Sequence, residues 1–273
     1  MKKLSAALKA HLMAGTVFPA NPLALNADRT IDEAKQRQLT RYYMASGAGG
    51  IAVGVHSTQF EIRDPKINLL ETVLKLAAEE VEKATLDRPF IKIAGICGPT
   101  AQAKSESELA LKYGYDMGLL SMGGLQDWTE DQILDRVREV AAIIPVFGFY
   151  LQPSVGGRIF SYDFWLKFAE IENVEAIKCA SFNRYQTLDV MRAVAHSSRC
   201  EQIAMYTGND DNIVADLLTT YQFNINGKKV EKEFIGGLLG HWAVWTQKAV
   251  ALLAEVKAYK ANKNQASADA LLT

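Results

Sequence analysis

The chain has few cysteines and no excess of charge of either sign. Among its 273 residues only Cys97, Cys179 and Cys200 are cysteines. An odd number with no metal-type spacing makes neither a disulfide framework nor a zinc site, and it fits a reducing cytoplasm. Thirty Lys and Arg face 31 Asp and Glu, for a formal net charge of −1. That balance excludes the basic stripe of a dedicated nucleic-acid binder and the high net charge of a disordered chain. No apolar run approaches the roughly 20 residues that cross a bilayer. The opening Met1-Lys2-Lys3 leads to Lys9 and His11, not to the apolar core of a signal peptide. No linker rich in Pro, Gly or Ser divides the chain. No Gly-x-Gly-x-x-Gly turn follows the first apolar run, which argues against an open dinucleotide-binding sheet. At 49% hydrophobic and 22% charged residues, the composition is that of an ordinary globular chain.

What is present is alternation. Eight short, nearly continuous apolar runs read as strands: Gly15 to Pro19, Gly50 to Val55, Phe90 to Cys97, Met117 to Met122, Val146 to Leu151, Val174 to Cys179, Gln202 to Tyr206, and Phe234 to Gly240. Continuous apolar character suits parallel strands covered on both faces. Amphipathic helices separate them. Thr30 with Glu33, and Thr129 with Gln132, have the spacing of capping boxes, in which side chain and backbone satisfy each other's free donors. Leu69, Val73, Leu76 and Ala77 share one helical face, as do Ile133, Val137 and Val140, and Phe164, Phe168 and Ile171. A last helix from Trp242 onward shows Val244, Ala249, Leu252 and Val256. Asn224 to Glu233 interrupts the alternation, and its Asn226-Gly227 pair reads as a hairpin turn. The pattern predicts a single (β/α)8 TIM barrel over residues 1–259, with a short polar tail over residues 260–273.

In a barrel of this kind the chemistry sits at the C-terminal ends of the strands. Lys178 closes the apolar run Val174 to Ile177 and so points at the barrel mouth. A desolvated amine there has a lowered pKa and is a Schiff-base nucleophile for a carbonyl compound; the alternative is a lysine that snorkels to water or pairs with a carboxylate. Tyr150 ends the preceding strand. Beside Lys178 its phenol would relay protons; otherwise it is a packed tyrosine whose hydroxyl caps a backbone group. His56 follows the second strand, as a proton carrier near neutrality or as a loop histidine bonded to backbone. Asp210 and Asp211 follow the seventh strand, where a helix cap is favoured over a metal site. His241 and Trp242 follow the eighth.

Three segments carry a resemblance to a known family. They are Gly15-Thr16-Val17-Phe18-Pro19-Ala20 with Asp28 to Glu33, then Phe149-Tyr150-Leu151-Gln152-Pro153, then Asn173-Val174-Glu175-Ala176-Ile177-Lys178. They resemble the opening strand, the Tyr-Asn-x-Pro signature and the Asn-Ile-x-Gly-Ile-Lys signature of the dihydrodipicolinate synthase and N-acetylneuraminate lyase superfamily of class I aldolases. The separation of 28 residues between Tyr150 and Lys178 is also the family's. The likeness extends over about residues 12 to 255. It implies a Schiff base at Lys178 and a proton relay at Tyr150. It also implies a substrate-holding loop at Gly54 to Phe60, with Ser57 and Thr58 as hydroxyl donors, and a loop at Gly208 and Asn209.

The chain departs from the family at several positions. Val55 and His56 stand where the family's two threonines stand, and His56 could take over their relay. Val155 stands in place of an arginine, with Arg158 the nearest one. Ser121-Met122-Gly123-Gly124 stands in place of a tyrosine. Cys179-Ala180 replaces an Asp-Ser pair, with Cys179 read as a small buried hydrophobe. The family's C-terminal helical extension is reduced to a short remnant.

The resemblance implies a cytoplasmic lyase or aldolase. Its substrate would be a 2-oxo acid, either pyruvate or a sugar-derived oxo acid. It would need no cofactor, bind no metal, nucleic acid or membrane, and assemble as a homo-dimer or tetramer. The alternatives are a deoxy-sugar acid dehydratase of the same superfamily and a metabolite-binding barrel without turnover.

Overall fold

The apolar runs become parallel strands because each of their faces meets its own apolar layer. In the computed structural model, which describes residues 1–262, the strands are β1 (Val17–Pro19), β2 (Gly50–Val53), β3 (Ile91–Ile96), β4 (Met117–Ser121), β5 (Val146–Leu151), β6 (Val174–Ala180), β7 (Ala204–Thr207), β8 (Thr220–Ile225) and β9 (Lys228–Leu239). They lie in the order β1-β9-β7-β6-β5-β4-β3-β2, with β8 paired to β9 alone. Every neighbouring pair on that path is parallel. A parallel bridge between Ala20 and Ala52 brings β2 round to β1. The result is a nearly closed TIM barrel. Residues 263–273, most of the expected tail, lie outside the described residues, while Lys260 to Asn262 still belong to the last helix.

The helices are α1 (Ala6–Met13), α2 (Glu33–Ala45), α3 (Leu70–Lys83), α4 (Thr100–Lys112), α5 (Glu130–Ala141), α6 (Tyr162–Ala169), α7 (Arg184–His196), α8 (Ile213–Leu218) and α9 (Thr246–Asn262). α1 precedes the first strand and closes the barrel's N-terminal end. His11 bonds the Gly49 carbonyl just before β2, and Lys9 reaches Glu175 and the Gln202 carbonyl just before β7. Leu12 of α1 then packs into the barrel interior.

Alternation along β5 shows the two layers. Phe147, Phe149 and Leu151 belong to the interior cluster, with Phe18, Tyr206 and Leu238. Val146 and Tyr150 belong to the outer cluster, with Trp165, Phe164 and Phe168 of α6. The Phe18, Phe147 and Tyr206 rings meet at centroid distances of 5.2 to 6.2 Å and fill the barrel. They make the interior a packed core and leave room for a ligand only at the mouth.

Local signals act as their chemistry requires, with three corrections. Thr129 and Gln132 form both bonds of a capping box at the start of α5. Thr30 does not cap α2: its hydroxyl donates to Asp28, and Asp32 takes the cap by accepting from the Lys35 amide. Asp ranks above Thr as an N-cap and lies next to the first helical residue.

The interruption before the last strand is a complete hairpin. Ile225 pairs with Lys228 across Asn226-Gly227, both at positive φ, the backbone a two-residue primed turn demands. β9 therefore starts at Lys228, earlier than the expected Phe234. The last helix starts at Thr246, after a short turn at His241–Ala243 that holds Trp242. Val244 is exposed, and Leu253, not Leu252, is buried with Ala249 and Val256.

Thr129→Ala should lower the free energy of unfolding by about 1 kcal/mol. Thr30→Ala should change it by less than about 0.5 kcal/mol. Urea denaturation of both variants checks the assignment; equal losses would contradict it.

Candidate active site

At the C-terminal ends of the strands lies a cavity of about 150 Å³. β6 supplies Lys178 and Ala180, β5 supplies Phe149 and Leu151, and the turn after β2 supplies Val55, His56 and Ser57. Gly208 and Asp210 enter from the loop after β7. A larger crevice of about 380 Å³ runs over the outer surface by α2 and α3, lined by Glu33, Arg37 and Lys75 among others. It is a solvated charged groove away from the strand ends.

Lys178 points into the mouth cavity. The residue is 8% exposed, and its ammonium lies 4.3 Å from the centroid of the Phe149 ring. Burial lowers its pKa to about 8, opposed only in part by the negative charge of Asp210. No carboxylate stands within 4 Å of it among the described residues. An amine that loses water without gaining a close counter-ion favours its neutral form. A neutral amine is the form that can attack a carbonyl.

Tyr150 is not in this cavity. Its side chain lies in the outer layer, 4.9 Å from Trp165 and 6.2 Å from Phe160 between ring centroids. Its hydroxyl sits by the Phe160 backbone with no bonded partner among the described residues, and burial raises its pKa to about 12. The cause is a register shift. Val146 pairs with Val174, a separation of 28 residues, but Phe147 pairs with Ala176, a separation of 29. One extra residue in β6, Glu175, makes this bulge and is held from below by Lys9. Without it Tyr150 would stand opposite Lys178 and share its face. With it Phe149 stands opposite Lys178, and Tyr150 pairs with Cys179 and turns to the helices.

The turn after β2 separates the candidates that follow it. His56 and Ser57 line the cavity. His56 is exposed, and its ring lies 5.6 Å from that of Phe60. Thr58 is fully buried. Its hydroxyl donates to the Asn21 carbonyl at 2.6 Å and accepts from the Gly54 amide at 3.0 Å. Both of its functions are spent on tying the ends of β1 and β2 together, so Thr58 holds the loop, and Ser57 is the hydroxyl of this turn that lines the cavity.

The loop after β7 also divides. A Cβ on Gly208 would lie 2.5 Å from Lys178 Cε, so only glycine lets the lysine pass. Asn209 does not line the cavity: it is fully buried, accepts from the Phe182 amide at 3.0 Å and donates to Asp216 at 2.9 Å. Neither Asp210 nor Asp211, the expected helix caps, takes that place: Asn212 occupies the cap position of α8, and Asp210 lines the cavity. The signal that finds it is its place two residues past Gly208, in the loop after β7, the strand that neighbours that of Lys178.

Elsewhere, Arg158 spends its guanidinium on the Leu125 and Trp128 carbonyls. Cys179 faces the outer layer, and burial raises its thiol to about 11. His241 faces an outer groove beside Trp245, and Trp242 is buried. Among the described residues no cluster of His, Cys, Asp or Glu is arranged to hold a metal ion, and no helix is long and apolar enough to cross a membrane.

No family model matches the chain. The 4-hydroxy-tetrahydrodipicolinate synthase of Bifidobacterium longum (strain DJO10A) is 27% identical over 202 residues, covering 72% of this chain. The match spans 60% of that relative's length. Among solved structures, dihydrodipicolinate synthase from Bacillus clausii superposes with a TM-score of 0.73 at 17% identity, covering 97% of this chain and 79% of that one. N-acetylneuraminate lyase from Mycoplasma synoviae superposes with a TM-score of 0.69 at 18% identity, covering 95% and 79%. The structural matches show the shared barrel. The sequence match and the structural matches are thus to dihydrodipicolinate synthases and to an N-acetylneuraminate lyase.

Acylation of Lys178 by a small amine-reactive reagent should rise with pH about a midpoint near 8, well below that of surface lysines. Peptide mapping after timed labelling checks this; a midpoint near 10.5 would contradict the burial described.

Proposed function

We propose that this chain is a Schiff-base-forming lyase of the class I aldolase type, with Lys178 as nucleophile and a 2-oxo acid, pyruvate or a sugar-derived oxo acid, as substrate. The observation that carries the reading is Lys178: an amine buried without a close counter-ion, facing a small cavity at the end of a barrel strand. Its neutral form attacks the carbonyl carbon, and loss of water gives an iminium ion. The iminium withdraws electrons from the neighbouring carbon, so that a carbon–carbon bond there can be broken or made. Ser57 and His56 line the same cavity and supply polar contacts for the substrate carboxylate. The likeness to a synthase and a lyase of one superfamily supports the same reaction class. The cavity of about 150 Å³ favours a short oxo acid over a long sugar acid.

One observation favours a second reading, a barrel that binds a metabolite without turnover: Tyr150, the relay that the resemblance implied, does not line the cavity. A dehydratase would form the same adduct and break a carbon–oxygen bond instead; the mass of the product distinguishes it.

The experiment is reductive trapping. The folded protein is incubated with pyruvate and a panel of sugar-derived 2-oxo acids, reduced with borohydride and weighed intact. We expect a mass gain that maps to Lys178 and disappears in Lys178→Ala. Binding without an adduct for every oxo acid would overturn the lyase reading in favour of the second. Tyr150→Phe should form the adduct within about twofold of the wild-type rate, whereas loss of a true relay costs about 100-fold or more.

A further inference from the structure

We infer that Asp210 is the proton-transfer group of this cavity, its carboxyl exchanging protons with the nitrogen and oxygen of the carbonyl adduct at Lys178. This rests on the Schiff-base reading above. A lysine that adds to a carbonyl needs a partner able to give and take protons. With Tyr150 turned to the helices, the cavity offers Asp210, His56 and Ser57.

Asp210 is the group the fold aims. Its loop is tied to the strand of the nucleophile: the Gly208 amide donates to the Cys179 carbonyl at 2.7 Å, one residue past Lys178. Asn209 is then clamped between the Phe182 amide and Asp216. Asp216 itself accepts from Thr207, Asn209, Asn212 and Arg184 at 2.6 to 2.9 Å. Thr207, Asn209 and Asp216 are at most 1% exposed, and such burial is tolerable only because their bonding groups are satisfied. The network fixes the backbone on both sides of Asp210 and leaves its own side chain uncommitted.

Its neighbour differs. Asp211 stands 3.7 Å from Arg184 and outside the cavity. Asp210 has no ion pair within 4 Å among the described residues. The titratable groups near enough to act on it are Lys178 from β6, His241 from the turn after β9, and Asp211. Partial burial raises its carboxyl above the ordinary value, against the pull of Lys178 and His241. The residue remains open to water at the mouth, so it can be reprotonated between steps.

The proton balance is complete with these groups and solvent. The Lys178 lone pair forms the nitrogen–carbon bond, and the carbonyl pair moves to oxygen. The Asp210 carboxylate takes a proton from the new ammonium and hands it to the alkoxide, giving a neutral carbinolamine. The nitrogen lone pair then forms the C=N bond while the carbon–oxygen bond breaks. The leaving hydroxide takes a proton from Asp210, which has taken up one proton (H+) from solvent at the mouth. One solvent proton is thus consumed for each iminium formed, and Asp210 returns to its carboxylate. The products are an iminium ion and one water molecule.

The test uses the full chain with pyruvate, or with whichever oxo acid of the panel labels wild-type Lys178. The rate of adduct formation is followed by timed borohydride quenching. In Asp210→Asn the rate should fall at least about 100-fold while the final extent of labelling stays at the wild-type level. Asp210→Glu should recover part of the rate, and Asp211→Asn should keep the wild-type rate. A role through charge alone predicts the reverse, because removing a negative charge lowers the lysine pKa further and speeds the addition. Asp210→Asn at the wild-type rate or faster would overturn the inference while leaving Lys178 as nucleophile. Absence of any adduct in the wild type would overturn the lysine reading and this inference together.

Discussion

The pairing of β5 with β6 governs the mouth of this barrel. A parallel pair places partnered residues on the same face, so an inserted residue reverses the facing of everything beyond it. The insertion is Glu175, anchored at the barrel's N-terminal end by Lys9 of α1. Beyond it Phe149 faces Lys178 across the cavity, and the phenol of Tyr150 is delivered to an aromatic cluster with Phe160 and Trp165. A salt bridge at one end of the barrel thus accompanies the choice of side chain presented at the other.

The lowered pKa of Lys178 comes from the packing around and beneath it. Moving its pKa from 10.5 to about 8 corresponds to a charged form less stable by about 3 kcal/mol. The barrel can carry a penalty of that size because its interior is filled below the lysine by Phe18, Phe147 and Tyr206, and closed at the base by Leu12. Apolar packing and the lowered lysine pKa are two results of one arrangement. An aromatic face at 4.3 Å tolerates either form of the amine without fixing the charged one as a carboxylate would.

Polar residues near the mouth then divide by whether their bonding capacity is already used. Thr58, Asn209, Asp216 and Arg158 are spent on backbone or on one another. They fix the loops after β1, β2, β5 and β7. Ser57, His56 and Asp210 keep free groups facing the cavity. A buried hydroxyl or amide must find partners, and once it has found them it has nothing left for a ligand.

The sequence by itself determined the elements and their order. Each apolar run carries two faces' worth of hydrophobic residues, Thr129 and Gln132 cap a helix locally, and Asn226-Gly227 closes a hairpin with its own backbone preference. It also placed Lys178 at a strand end, because strand length and the run before it are local properties. The tertiary structure alone decided which residues share that end as partners. The 28-residue separation of Tyr150 and Lys178 contains no record of whether a bulge lies between their strands. Thr58 reads as a free hydroxyl until Asn21, far away in the chain, is brought beside it, and Asp210 reads as a cap until Asn212 takes that position. Local periodicity fixes what a segment becomes, and the register between distant segments fixes what its side chains meet.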